Sequence, residues 1–163
     1  MGTSKRAGAV IALLLLGLAI AAPAAAATAR PMSGSFTGSV FFAEPRCGAN
    51  LLTVGFEGVG QATHFGRMTG SATNCTTFDL GGSAAPVLDG ESTFTAADGS
   101  TVTATYAGAQ AVPVDGVAAY ENTATVTGGT GRFADATGTW TITGAVDFNT
   151  GTISGSLTGW LAY

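Results

Sequence analysis

The chain has 163 residues, of which 46% are apolar and only 10% charged, with a formal net charge of −4. Its single lysine, Lys5, lies in the first six residues; beyond residue 29 four arginines (Arg30, Arg46, Arg67 and Arg132) face ten acids, a net charge of −6. Such a surface lacks the cations that displace counterions from phosphate backbones, which excludes nucleic acid as a partner and disfavours anionic membranes. Schiff-base chemistry has no lysine amine to use.

The first segment reads as an export signal. Lys5 and Arg6 form a basic start, Ala7–Ala22 is an apolar core, and Pro23 precedes the small residues Ala24–Ala29. That pattern predicts a secretory signal peptide over 1–29, cleaved after Ala27 or Ala29, and a secreted (extracellular or periplasmic) product. A transmembrane anchor needs about 20 apolar residues and no small-residue tail, so no membrane association is expected after cleavage. Residues 30–163 suffice for one domain with one core. They carry two cysteines, Cys47 and Cys75, and an even count in an exported chain predicts a disulfide. The competing metal reading, Cys47, His64 and Cys75 around zinc, lacks a fourth ligand and the close cysteine spacing of zinc sites, so no metal is expected.

Along the chain, apolar residues alternate with threonine and serine at strand period, and no helical stripe follows the leader. Eight strands are expected: Ser33–Phe42, Leu51–Gln61, Arg67–Thr77, Gly90–Ala96, Ser100–Ala107, Ala118–Thr127, Thr139–Phe148 and Thr152–Ala162. Pro45, Pro86 and Pro113 fall in the longer gaps, where a missing N–H breaks no ladder. Mostly short connections suit an antiparallel up-and-down meander closed into an all-β barrel. Glycines within strands (Gly38, Gly70, Gly144) allow the bending that closure needs, although a glycine-loosened sandwich fits the same pattern.

Two hairpins fix their own register. At Asp98-Gly99 a three-residue loop pairs Phe94 with Val102 and Ser92 with Ala104, with Tyr106 on the same face; a two-residue loop would set Phe94 against Thr103. A four-residue loop, Phe148–Gly151, pairs Val146 with Ile153 and Ile142 with Leu157. The interior is accordingly expected to be lined by Phe94, Val102, Tyr106, Val126, Ile142 and Leu157.

Candidate chemistry is sparse. His64, the one histidine, could serve as a general base, but in a tight turn between strands the preferred reading is a backbone hydrogen bond that orders the turn. Glu57 and Arg67 are the weak candidates for company to it in a barrel mouth, while acids near strands are ordinarily solvated. There is no G-x-S-x-G elbow. Asn74-Cys75-Thr76 fits the glycosylation pattern formally. Gly129-Thr130-Gly131 has the look of a phosphate loop, but a strand pattern follows where a helix N-terminus is required, and no cofactor is expected.

The stretch Gly128-Gly129-Thr130-Gly131-Arg132-Phe133-Ala134-Asp135-Ala136-Thr137-Gly138 holds four glycines in eleven residues between two strand patterns. It resembles the G-G-T-G-x-F-x-x-A-x-G signature of allene oxide cyclase-like and dirigent-like small β-barrels, and Ala62–Gly70 and Ile153–Tyr163 resemble segments of their exported bacterial relatives. The resemblance implies an eight-stranded antiparallel barrel with an apolar interior, often a homo-oligomer. It also implies structural roles for Gly128, Gly129, Gly131, Phe133 and Gly138. Plant members direct ring closure or radical coupling of hydrophobic small molecules, but no catalytic position carries over to this chain. The leading expectation is therefore non-catalytic binding of a small apolar molecule or partner. An isomerase or cyclase that shapes a reactive substrate is the alternative. A structural or adhesion module is the third reading, favoured by a packed interior with no cavity above about 300 Å³.

Overall fold

The computed structural model describes residues 28–77 and 84–163. Nearly all of the expected leader lies outside the described residues. The chain forms one closed antiparallel barrel in which eight strands follow each other in sequence order. They are β1 (Ala29–Phe42), β2 (Leu52–Ala62), β3 (Gly66–Thr76), β4 (Ala85–Ala96), β5 (Thr101–Gln110), β6 (Val117–Gly129), β7 (Thr137–Asp147) and β8 (Thr152–Ala162). Among the described residues a single 3₁₀ turn, Gly131–Phe133, interrupts the crossing from β6 to β7. The sandwich alternative falls, because β1 pairs with both β2 and β8 and leaves no edge.

The alternation seen in the sequence becomes the barrel wall. Even-numbered side chains of β1 to β3 and β5 to β7, and odd-numbered ones of β8, point inward, while outward positions of β5 to β7 carry threonines such as Thr105, Thr125 and Thr141. Paired residues traced round the wall from Phe41 run through Gly55, Thr73, Glu91, Thr105, Thr125, Thr139 and Trp160 to Pro31 on the same first strand. A stagger of that size tilts the strands strongly, as a small closed barrel requires.

Both hairpin registers hold: Phe94 pairs with Val102, Ser92 with Ala104, Val146 with Ile153 and Ile142 with Leu157. Gly99 has φ +84°, and its amide donates to the Ala96 carbonyl at 2.9 Å. The left-handed conformation at that point is what favours glycine there.

Several strands run further than expected, most of all at the starts of β1 and β4. β1 starts at Ala29 because β8 pairs with it that far, whereas β2 stops at Gly34; Pro31 thus has a neighbour on one side only. β4 starts at Ala85, so Pro86 is a strand residue paired with Ala109. β3 has already ended at the level of Val87, so the missing N–H of Pro86 costs no bond on that side. Asp89-Gly90, where the expected strand begins, is a bulge: the register slips between Val87 and Gly90, with Asp89 at φ +49°.

The two ends of the barrel are unlike. The β2–β3, β4–β5 and β6–β7 connections, the start of β1 and the end of β8 gather at one end, which is sealed. There Phe133, with no exposed surface, stacks on Phe65 at 5.0 Å and meets Tyr163 edge-on at 4.8 Å. Phe65 leans on Phe94, and Phe94 on Trp140. The last residues of β1, β3, β5 and β7 and the first of β2, β4, β6 and β8 lie at the other end. Cys47 and Cys75 are joined in a disulfide that fastens the β1–β2 loop to the end of β3.

Candidate functional site

The sealed end explains the glycine-rich stretch in structural terms. Gly131 takes φ +60° and a Cβ on it would collide with Ser100 Oγ and stand 3.0 Å from Ser100 Cβ, so the chain turns tightly enough to drop Phe133 into the barrel floor. A Cβ on Gly138 would meet the Trp160 carbonyl oxygen at 2.5 Å. Arg132, the variable position of the signature, ties three turns together. Its guanidinium pairs with Asp98 of the β4–β5 turn at 2.5 Å, donates to the His64 carbonyl of the β2–β3 turn at 2.6 Å, and lies over the Phe133 ring. The Ser100 backbone amide, first, and then the Arg132 charge hold the Asp98 carboxyl below the usual carboxylate range.

His64 belongs to this end and to the turn. It takes φ +71°, its Nε2–H donates to the Pro31 carbonyl at 2.9 Å, and its ring meets Tyr163 edge-on. Glu57 and Arg67 are exposed on the outer wall. Their register partners, Ser71 and Gln61, set them four ladder positions apart, about 13 Å along the sheet. The structure therefore does not bring His64, Glu57 and Arg67 together at a barrel mouth.

Among the described residues, the opening is at the opposite end. A cavity of about 90 Å³ enters from there, with Val40, Val54, Val87 and Ile153 around the mouth and Phe36, Ile142 and Phe94 among its deeper walls. Of the six residues expected to line the interior, Phe94, Tyr106 and Ile142 reach this cavity. Val102, Val126 and Leu157 face inward but are buried in the packed half, where side chains from β5, β6 and β8 fill the space.

Between mouth and floor runs a belt of neutral polar groups that the sequence reading passed over. Tyr106 donates its hydroxyl to Asn74 Oδ1 at 3.2 Å, and Tyr120 to the Ser154 carbonyl at 3.1 Å. Ser92 donates to the Ala104 carbonyl across the β4–β5 pair. Each large member of the belt lies against a glycine of a neighbouring strand. A Cβ on Gly90 would stand 2.6 Å from the Tyr106 ring, one on Gly155 would stand 2.5 Å from the Tyr120 oxygen, and Gly108 makes the same room for the Asn122 amide. The strand glycines thus serve more than bending: they are seats for flat side chains. Burial pushes both phenols well above their ordinary range, so they stay protonated donors. Asn122 is 8% exposed, and its Oδ1 has no hydrogen-bond partner. A buried acceptor without a partner costs about 1–3 kcal/mol, and this one is packed against Gly108 in the wall.

Asn74 and Cys75 settle two side questions. Asn74 is on the inward face and bonded to Tyr106, and Cys75 is in the disulfide, so the formal glycosylation pattern is out of reach in the folded chain. The same disulfide occupies both sulfurs of the zinc alternative. Signals for the belt did exist in the sequence, as the inward parity of Tyr106, Tyr120 and Asn122, but which glycine each would lie against depends on strand pairing. Compared with known proteins, the chain matches no family model and no curated protein sequence.

Proposed function

We propose that this chain is an exported, non-catalytic barrel that holds a small, largely apolar molecule in its open-end cavity. The observation that carries the reading is the asymmetry of the interior. One end is sealed by aromatic packing, and the other opens into a pocket walled by Phe36, Phe56, Phe94, Ile142 and Ile153 with a few neutral polar groups. That is the composition of a binding pocket. The resemblance of Gly128–Gly138 to allene oxide cyclase-like and dirigent-like barrels supports the same placement, as does the disulfide for an oxidising compartment. The groups lining the cavity bind and orient; the imidazole and carboxylate considered for catalysis sit elsewhere, which favours binding over turnover.

The cavity volume favours a second reading. About 90 Å³ is well under the roughly 300–1,000 Å³ of pockets for drug-sized ligands. A structural module with a merely imperfect core would look the same. Native mass spectrometry of protein from its own culture, followed by extraction, separates the two. A stoichiometric companion of a few heavy atoms supports binding. A bare chain that also fails to take up small apolar probes assigns the barrel to the structural reading. Conversion of a bound compound would replace both with the cyclase alternative.

A further inference from the structure

The bulge in β4 forms part of the cavity wall, and the group that holds it comes from outside the barrel. Leu88 to Glu91 on β4 lies against the shorter step from Cys75 to Thr73 on β3, and Val87 to Gly90 against the shorter step from Gly108 to Tyr106 on β5. An extra residue of this kind leaves ladder groups without their partners. One terminal nitrogen of the Arg46 guanidinium supplies donors there: it donates to the Thr73 carbonyl at 3.0 Å on β3 and to the Asp89 carbonyl on β4.

Arg46 is carried by the β1–β2 connection, which crosses the outer wall as a strap. Thr53 and Cys75 pair on the outward side of β2 and β3, yet both are buried, because the strap lies on them. The Arg46 amide donates to Thr53 Oγ1 at 3.0 Å, the Ala43 amide to the Thr53 carbonyl at 3.1 Å, and Thr53 Oγ1 to Cys47 Sγ at 3.1 Å. The Cys47–Cys75 bond, one residue from Arg46, anchors the strap covalently.

The same bulge sets the inner face. Gly90 ends it, and the Tyr106 ring lies against that glycine, where a Cβ would stand 2.6 Å away. The Tyr106 hydroxyl donates to Asn74, the β3 residue opposite the bulge, and Asn74, Tyr106 and Val87 all line the cavity. Tyr120 occupies the corresponding hollow at Gly155 on β8, out of reach of the strap.

We infer that the β1–β2 strap shapes the cavity from outside, with Arg46 as a positioning residue and the Cys47–Cys75 bond as its anchor. The inference rests on the binding reading above and adds what tunes it: affinity depends on the state of the disulfide. A dithiol reductant passes two electrons and two protons to Cys47 and Cys75 and itself becomes a disulfide, after which hydrogen bonds alone hold Arg46 over the bulge.

The test titrates xenon and 1-butanol, both small enough for a cavity of about 90 Å³, into the mature protein while its tyrosine ring resonances are followed. Arg46→Leu removes both donors from an exposed position and should weaken uptake about three- to tenfold, the range of coupling between groups in one network. The Tyr106 ring signals should shift and those of Tyr120 stay, a pattern that a general loss of stability does not produce. Arg46→Lys keeps one nitrogen with protons for both carbonyls and should retain most of the affinity. Arg67→Leu, which removes a charge at the far end of the wall, should leave uptake unchanged. Reduction with dithiothreitol should weaken uptake as Arg46→Leu does, and the two together should cost little more than either, as expected of one clamp. Uptake by Arg46→Leu equal to that of the parent, or fully additive losses, overturns the inference and leaves the binding reading standing. No uptake of either probe by the parent overturns both.

Discussion

Phe133→Ala gives the sharpest test of how the barrel is closed. Phe133 has no exposed surface, stacks on Phe65 at 5.0 Å, meets Tyr163 edge-on at 4.8 Å and carries the Arg132 guanidinium 4.7 Å from its centroid. Truncating a buried phenylalanine costs about 3–5 kcal/mol through lost transfer energy and the cavity left behind. Aromatic pairs add roughly 0.5–1.5 kcal/mol each beyond area, which places this site near the upper figure. The floor has little freedom to collapse into the gap, since β6 and β7 hold both ends of the crossing in the ladder. Urea unfolding followed by tryptophan fluorescence should therefore show a loss of about 4–5 kcal/mol, a large part of the 5–15 kcal/mol of an ordinary domain. The melting temperature should fall by about 10–15 °C on the usual scaling for a domain of this size. Phe133→Leu keeps most of the volume and should lose only about 1–2 kcal/mol. A Phe133→Ala protein within about 1 kcal/mol of the parent would refute the view that this side chain seals the barrel.

Three further outcomes follow from the same geometry. Gly99→Ala should cost about 1 kcal/mol by denaturant melt, because φ is +84° and no atom lies near the added methyl, so the loss is conformational alone; an unchanged midpoint contradicts it. Reduction of Cys47–Cys75, separated by 28 residues, should lower stability by about 3–4 kcal/mol in the chain-entropy account; two reactive thiols in the denatured, unreduced chain would show that the bond is absent. Tyr106 and Tyr120 are raised by burial, so above the ordinary phenol value of about 10 the unfolded chain releases protons that the folded barrel keeps, and stability falls as pH climbs. Absorbance at about 295 nm, assigned with Tyr106→Phe and Tyr120→Phe, should show these two ionising only with unfolding; reversible ionisation near pH 10 in an intact barrel is the contrary result.

The wall and the cavity place different demands on glycine. In an ordinary barrel, interior glycines let strands bend. Here Gly90, Gly108 and Gly155 also leave hollows into which Tyr106, Asn122 and Tyr120 fit. The side chains that define the pocket therefore lie along the wall instead of crossing the lumen, and the space left at the centre is the cavity. Alanine at any of the three should change the pocket as well as the stability.

What the sequence determined by itself was the local part: eight strands, their inward parity, the Asp98-Gly99 and Phe148–Gly151 registers and the disulfide pair. Each depends on near neighbours or on a count. Alternation chooses a face, a turn residue at positive φ sets a loop length, and two cysteines in one chain leave one pairing. The tertiary structure decided what depends on strands distant in sequence. β1 extends to Ala29 because β8 lies beside it, and Pro31 and Pro86 are tolerated because the strand on one side has already ended. Val102, Val126 and Leu157 share the inward parity of Phe94, Tyr106 and Ile142, yet the tilt of the barrel places the first three in the packed half and the others at the cavity. Height along the axis is a sum of stagger over all eight strands, and no single segment contains it. The orphaned Asn122 acceptor is hidden for the same reason: a partner is missing only once every neighbouring strand is in place.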